Sequence, residues 1–238
     1  VKPQLACFER LGAAGRAALD DVVRCAQAAG LLVLADGKRG DIDVSAAAYA
    51  QALVGSVATP FGAVGGLGAD AVTANPYMGV DTLRPLIDAA RAAGAGVFVL
   101  VRTSNPGAAD VEDVELAAGG PVWEHVARLV AGLGEERIGD SGFADVGAVV
   151  GATAPEHLER MRELMPRTVF LLPGIGAQGG RVEALGPAFA PGAAGGLITA
   201  SRSIVAAHEK AGGPPAAAAR AEAQRLRDAG WGLAARAA

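Results

Sequence analysis

The stretch Leu31-Leu-Val-Leu-Ala-Asp36-Gly-Lys38-Arg-Gly-Asp41-Ile42 carries five apolar residues straight into a cluster of charge. A fully apolar run of this length, closed by glycine, reads as a strand buried on both faces, the pattern of a parallel sheet. Side chains alternate along a strand, so Asp36 and Lys38 project to the same side. An acid and an ammonium therefore stand together at the strand's C-terminal end, where barrel enzymes keep their chemistry. Taken alone, Asp-x-Lys-x-x-Asp also describes a surface turn with a salt bridge.

Outward from this stretch the same unit recurs: a short apolar run, a polar or glycine-rich turn, then a longer segment with helical spacing. The predicted strands lie at 1–6, 31–36, 71–75, 96–103, 146–151, 169–173 and 196–200. The predicted helices lie at 15–29, 44–57, 82–93, 122–133, 155–165 and 178–185, with Asp81 and the segment ahead of Pro155 as start signals. Strands alternating with helices imply an α/β fold with a parallel sheet. No linker interrupts the series, so one domain is expected over 1–238, with a terminal helix or tail over 214–238. Seven units are one short of a closed (β/α)8 TIM barrel. Since the chain opens at Val1 without a methionine, the expectation is a barrel whose first strand and helix lie upstream.

Composition narrows the function. Of 238 residues, 51% are hydrophobic and 19% charged, and the net charge is −4. That balance describes a globular chain with neither a basic stripe for nucleic acid nor an apolar span for a membrane. The expected partners are small molecules or other protein chains. Cys7 and Cys25 lack metal-ligand spacing and read as reduced thiols of a cytoplasmic protein. His125, His157 and His208 lie far apart in helix-like segments, so no structural metal is expected.

Further segments carry candidate chemistry. Lys2 stands in Val1-Lys-Pro-Gln4 near the end of a predicted strand. Val169-Phe-Leu-Leu-Pro173-Gly-Ile-Gly-Ala-Gln178-Gly-Gly180 breaks from a buried run into a glycine-rich turn, where backbone N–H groups can approach an anion. One unit later Arg202 follows the last strand. Loops after the final two strands of a barrel frequently bind phosphate, which suits Gln178 and Arg202. Thr103-Ser104-Asn105 ends another strand in hydroxyl and amide groups; these are also ordinary turn residues.

Together Lys2-Pro-Gln4, Asp36-x-Lys38-x-x-Asp41-Ile42, Asn75-Pro-Tyr77, Thr103-Ser-Asn-Pro106, Gly151-Ala-Thr153, Pro173-Gly-Ile-Gly-Ala-Gln-Gly-Gly180 and Ser201-Arg-Ser203 resemble the orotidine 5′-phosphate decarboxylase family, in its longer bacterial branch. The resemblance implies decarboxylation of orotidine 5′-phosphate to uridine 5′-phosphate, the last step of pyrimidine nucleotide synthesis, without a cofactor or metal. It implies a catalytic array of Lys2, Asp36, Lys38 and Asp41. Substrate contacts would come from Ile42, Ser45, Ser104, Pro173, Gln178 and Arg202. The family pattern is a homodimer in which Asp41 and Ile42 reach into the neighbouring subunit's site, and its ribose-binding aspartate lies on a strand preceding Lys2. Two alternatives share part of the pattern. One is a magnesium-dependent sugar-phosphate decarboxylase or aldolase of the same superfamily, which places an acidic ligand where Lys2 stands. The other is a non-catalytic nucleotide-binding barrel.

Overall fold

Only the end of the apolar run enters a strand: β1 spans Leu34–Arg39 instead of the predicted 31–36, its first three residues are buried, and Leu31 and Leu32 lie exposed ahead of it. In this computed structural model, residues 1–176 and 178–237 are described; Ala177 of the glycine-rich motif and Ala238 lie outside them. The chain forms two compact units, Val1–Leu100 and Val101–Ala238.

In the first unit, helices α1 (Leu5–Glu9) and α2 (Gly12–Ala28) precede β1. Buried Gly15, Leu19, Val23 and Ala26 recur on one stripe of α2, the spacing of a helix with a single apolar face. After β1 come α3 (Asp43–Leu53), a hairpin of β2 (Ser56–Thr59) and β3 (Gly62–Gly65), strand β4 (Ala71–Ala74), helix α4 (Val80–Ala93) and strand β5 (Gly96–Arg102), whose last two residues are counted with the second unit. Strands β1, β4 and β5 pair in parallel in that order, and β2 pairs with β3 antiparallel. Helix α4 buries Leu83, Leu86, Ile87 and Ala90 and stops at Gly94, whose φ of 72° is the left-handed cap that glycine adopts without a Cβ clash.

The second unit continues with α5 (Val122–Glu135), β6 (Val146–Val150), α6 (Leu158–Leu164), β7 (Phe170–Leu172), the 3-10 helix Val182–Phe189, β8 (Gly196–Ile198), α7 (Arg202–Val205), α8 (Ala207–Ala211) and α9 (Pro215–Ala237). Strands β6, β7 and β8 pair in parallel. All of β6 and β7 is buried, as parallel strands covered on both faces require. Arg162 of α6 lies buried in this core and donates to the carbonyls of Met165, Thr168, Ala188 and Gly195, with its guanidinium 3.8 Å from the Phe170 ring centre. Burial pushes its pKa down to about 10, and the four carbonyls do the work of a counter-ion by hydrogen bonding alone. Among the described residues, no helix is long and apolar enough to cross a membrane.

Several further boundaries differ from the sequence reading, three of them with a plain physical reason. The predicted strand 1–6 is only a short flank: Leu34 and Asp36 donate to the carbonyls of Val1 and Pro3, and from Leu5 the chain is helical. Pro3 has no N–H to return to β1, so a full ladder cannot form there. The helix predicted over 44–57 ends at Leu53, because Gly55 and the β-branched residues that follow turn into the hairpin. The helix predicted from 178 starts at Val182 and is a 3-10 helix, leaving Gln178 in the turn itself.

Candidate active site

Two groups of predicted site residues come together, one in each unit. In the first unit, Lys2 Nζ stands 2.6 Å from Asp36 Oδ2 and Lys38 Nζ 2.5 Å from Asp36 Oδ1. The buried Thr73 hydroxyl donates to Asp36 Oδ1 at 3.0 Å, and Gln4 Nε2 lies 3.5 Å from Oδ2. Asp36 is 4% exposed, so its charge sits in a setting that would disfavour it without these donors. Burial raises its carboxyl pKa, and the hydrogen bonds and charges of Lys2 and Lys38 outweigh that effect, holding it below the usual carboxylate range. The Lys38 side chain keeps about two-fifths of its surface open, at 39%. One anion thus fixes two cations at its two oxygens, with the outer one open to a ligand.

The backbone around Lys38 is irregular. Ala35 registers with Val72 and Arg39 with Ala74, so Asp36, Gly37 and Lys38 oppose Thr73 alone. This is a β-bulge, a device that re-aims side chains beside active sites. Lys38 takes a φ of 48°, uncommon for a residue with a Cβ. Beside it, a Cβ at Gly37 would meet Leu5 Cδ1 at 2.7 Å, so the Leu5 side chain would have to shift to admit one.

Asp41 lies beyond β1, and its Oδ1 accepts the Ile42 N–H at 2.8 Å. It is not drawn into the lysine–aspartate array of its own chain. Ile42 is 54% exposed, and Ser45 is exposed on α3.

In the second unit, Ser104 Oγ donates to Gln178 Oε1 at 2.8 Å, joining residues 74 positions apart. Thr153 Oγ1 donates to the Ser104 carbonyl at 3.0 Å. Gly151 permits this closeness, since a Cβ there would fall 2.8 Å from the Ser104 nitrogen. Upstream, Arg102 grips Asp113 with two nitrogens at 3.2 and 2.9 Å, and the Glu112 carboxylate accepts the Thr103 N–H at 2.8 Å. The Arg102 hydrogen bond holds the Asp113 carboxyl below its ordinary range, against a smaller opposing effect of burial. Pro173 is half-buried at the start of the glycine-rich turn, where Gly174 and Gly176 have φ of 106° and 75°. Arg202 is exposed at the first position of α7, and Ser203 packs on Gly176.

Sequence reasoning missed Thr73, Thr153, Glu112 and Asp113 as parts of these networks. Thr73 carried a usable signal: it is the one polar residue of Ala71-Val-Thr-Ala74, and a hydroxyl inside a buried strand needs a partner. The two acids carried none, because their partners are set by a loop path that spacing does not encode.

The chain as a whole is similar to known proteins. A family model described as Orotidine 5′-phosphate decarboxylase / HUMPS family matches residues 1–221. The orotidine 5′-phosphate decarboxylase of Rhodopirellula baltica is 44% identical over 213 residues, covering 88% of this chain and 68% of that protein. That of Deinococcus radiodurans is 47% identical over 229 residues, covering 96% and 77%. Among solved structures, Leishmania donovani OMP decarboxylase superposes with a TM-score of 0.72 at 36% identity, covering 97% of this chain and 80% of that one. Leishmania donovani UMP synthase superposes with a TM-score of 0.74 at 37% identity; the chain covers 96% of itself and spans 46% of that larger protein.

Proposed function

The chain belongs to the orotidine 5′-phosphate decarboxylase / HUMPS family, and we infer that it converts orotidine 5′-phosphate to uridine 5′-phosphate and carbon dioxide. Its fold class is the α/β barrel class of that family. The observation that carries the reading is the buried Asp36 clasped by Lys2 and Lys38.

The chemistry explains why such an array is useful. Breaking the bond from C6 to the carboxylate leaves the electron pair in the plane of the pyrimidine ring, where no π-system accepts it. A cation fixed beforehand beside C6 lowers that barrier, because its orienting cost is met during folding. Lys38, partly open and anchored by Asp36, fits this role and then gives its Nζ proton to C6, to be reprotonated by solvent. Asp36 keeps the Lys38 ammonium aimed, and Lys2 balances the second oxygen of Asp36. Ser104 takes the pyrimidine edge, with Gln178 and Arg202 on the phosphate and Pro173 shaping the turn between them. Binding energy gathered at the phosphate, remote from C6, can then be expressed in the transition state.

The protein works as a homodimer in this reading, with Asp41 and Ile42 completing the neighbouring subunit's site and Ser45 among the substrate contacts. The exposure of Ile42, and the absence of Asp41 from its own chain's array, support that assignment. The free thiols of Cys7 and Cys25, both exposed, suit a cytoplasmic location. The magnesium-dependent alternative is not favoured, because an ammonium, Lys2, holds the position where those enzymes place an acidic ligand.

The deciding experiment follows uridine 5′-phosphate formation from orotidine 5′-phosphate in excess chelator. Undiminished turnover is expected. Loss on chelation with recovery in magnesium would return the reading to the sugar-phosphate branch.

A further inference from the structure

We propose that Thr73 is a positioning residue for the decarboxylation, its hydroxyl tying the backbone of Lys38 to the carboxylate of Asp36 and so fixing where the Lys38 ammonium stands. The inference deepens the proposed function and rests on it, since it concerns the group assigned as the proton donor.

The argument starts from the bulge. Three residues of β1, namely 36, 37 and 38, face the single residue Thr73 of β4, so the regular ladder cannot satisfy every N–H in that interval. The Thr73 oxygen takes over: it accepts the Lys38 N–H at 2.8 Å. The same oxygen donates its proton to Asp36 Oδ1 at 3.0 Å. That Asp36 oxygen is also the one that holds Lys38 Nζ at 2.5 Å. The three contacts close a ring from the backbone of Lys38, through Thr73 and Asp36, back to the tip of the Lys38 side chain.

Only a hydroxyl can serve both contacts, because it accepts and donates at one atom. Thr73 is 1% exposed between Val72 and Ala74, both at 0%, so water cannot readily substitute for it. The left-handed backbone of Lys38, φ 48°, is a conformation that persists only where its surroundings hold it. With the hydroxyl removed, the bulge is free to relax, and Asp36 Oδ1, having lost one of its donors, is free to shift together with the ammonium paired to it. The consequence falls on the placing of the proton donor, not on the phosphate contacts, which belong to other residues.

The experiment compares Thr73→Val, which keeps the shape and removes the hydroxyl, with Thr73→Ser, which restores it. Thr73→Val is expected to lower kcat about 10- to 100-fold, the scale of a catalytic group misplaced by a fraction of an ångström to an ångström. KM should stay within about threefold, and Thr73→Ser should recover most of kcat. Hydrogen exchange at the Lys38 amide should quicken in Thr73→Val and return toward the unsubstituted rate in Thr73→Ser. If the Val chain does not fold, Thr73→Ala takes its place against the same Ser control. Unchanged kcat in the hydroxyl-free variant, or a loss that Ser does not restore, overturns the proposal. If the unsubstituted protein does not decarboxylate at all, the functional reading fails instead; the Lys38 exchange rate then decides whether Thr73 holds that backbone.

Discussion

Asp36 and Gln178 hold their neighbours in opposite ways. Asp36 is almost fully buried and receives two ammonium groups, one hydroxyl and a longer amide contact. Gln178 is exposed, carries no charge and is joined to Ser104 by one neutral hydrogen bond from a turn with glycines on both sides. The difference follows from what each region is proposed to meet. A cation that must stabilise a short-lived carbanion is most effective when held in place beforehand, and the buried Asp36 carboxylate holds Lys38 in that way, so that little reorganisation is left for the reaction itself. A group that grips a phosphate arriving from solvent does better exposed, on backbone that can adjust. The positive φ values of Gly174, Gly176 and Gly179 give the turn a path that residues with a Cβ rarely follow.

The contrast can be broken most directly at Lys38. Lys38→Ala should lower kcat/KM by about 10⁴-fold, since both proton donation and the fixed cation are lost. Affinity for uridine 5′-phosphate should change far less, and calorimetric titration checks that half. A parallel collapse of product binding would mean that the buried array and the exposed turn are not separate in function.

The proposed division of labour between subunits gives the next effect. Asp41→Ala and Lys38→Ala chains should each be poor enzymes alone. After subunit exchange at equal mixing, about half the dimers are mixed and each has one intact site, so roughly a quarter of all sites should recover. No gain in turnover, with exchange confirmed by native mass, would put Asp41 in its own chain's site or outside the reaction.

Arg202→Ala sharpens the exposed side of the comparison. Removing one charge-assisted contact to phosphate should weaken uridine 5′-phosphate binding roughly 10- to 100-fold. Uridine, which has no phosphate, should bind as before. Equal losses for the two ligands would remove Arg202 from the phosphate site.

The smallest effect is one of pH on stability. The folded Asp36 carboxyl titrates below its ordinary value, so the unfolded chain takes up that proton first as the solution is acidified. Its stabilising contribution is therefore complete above the unfolded carboxylate pKa of about 3.9 and is lost as pH falls through the lower folded value. Thermal melting followed from about pH 5 to pH 2 should show a shallower loss of stability in Asp36→Asn than in the unsubstituted chain. Identical slopes would mean that the burial effect cancels the two lysines.

Much was legible in the sequence because it rests on local chemistry. The apolar run leading into Asp36, the apolar stripe of Leu83, Leu86, Ile87 and Ala90 on α4 and the glycine-rich turn after β7 each mark an element by short-range pattern, though the strand begins three residues later than that run. The pairing of Asp36 with Lys38 followed from their separation of two residues, even though the strand proved irregular there. What the sequence could not supply was register. The slip of β1 against β4 puts one threonine opposite three residues, and that placement depends on hydrogen bonds between segments more than 30 residues apart. The contact between Ser104 and Gln178 spans 74 positions and was likewise decided by packing, with Gly151 and Gly174 removing the side chains that would have kept the segments apart. Local pattern selects an element because its energies lie within a few neighbouring residues; register and close approach are decided only when distant strands compete for the same buried donors and acceptors.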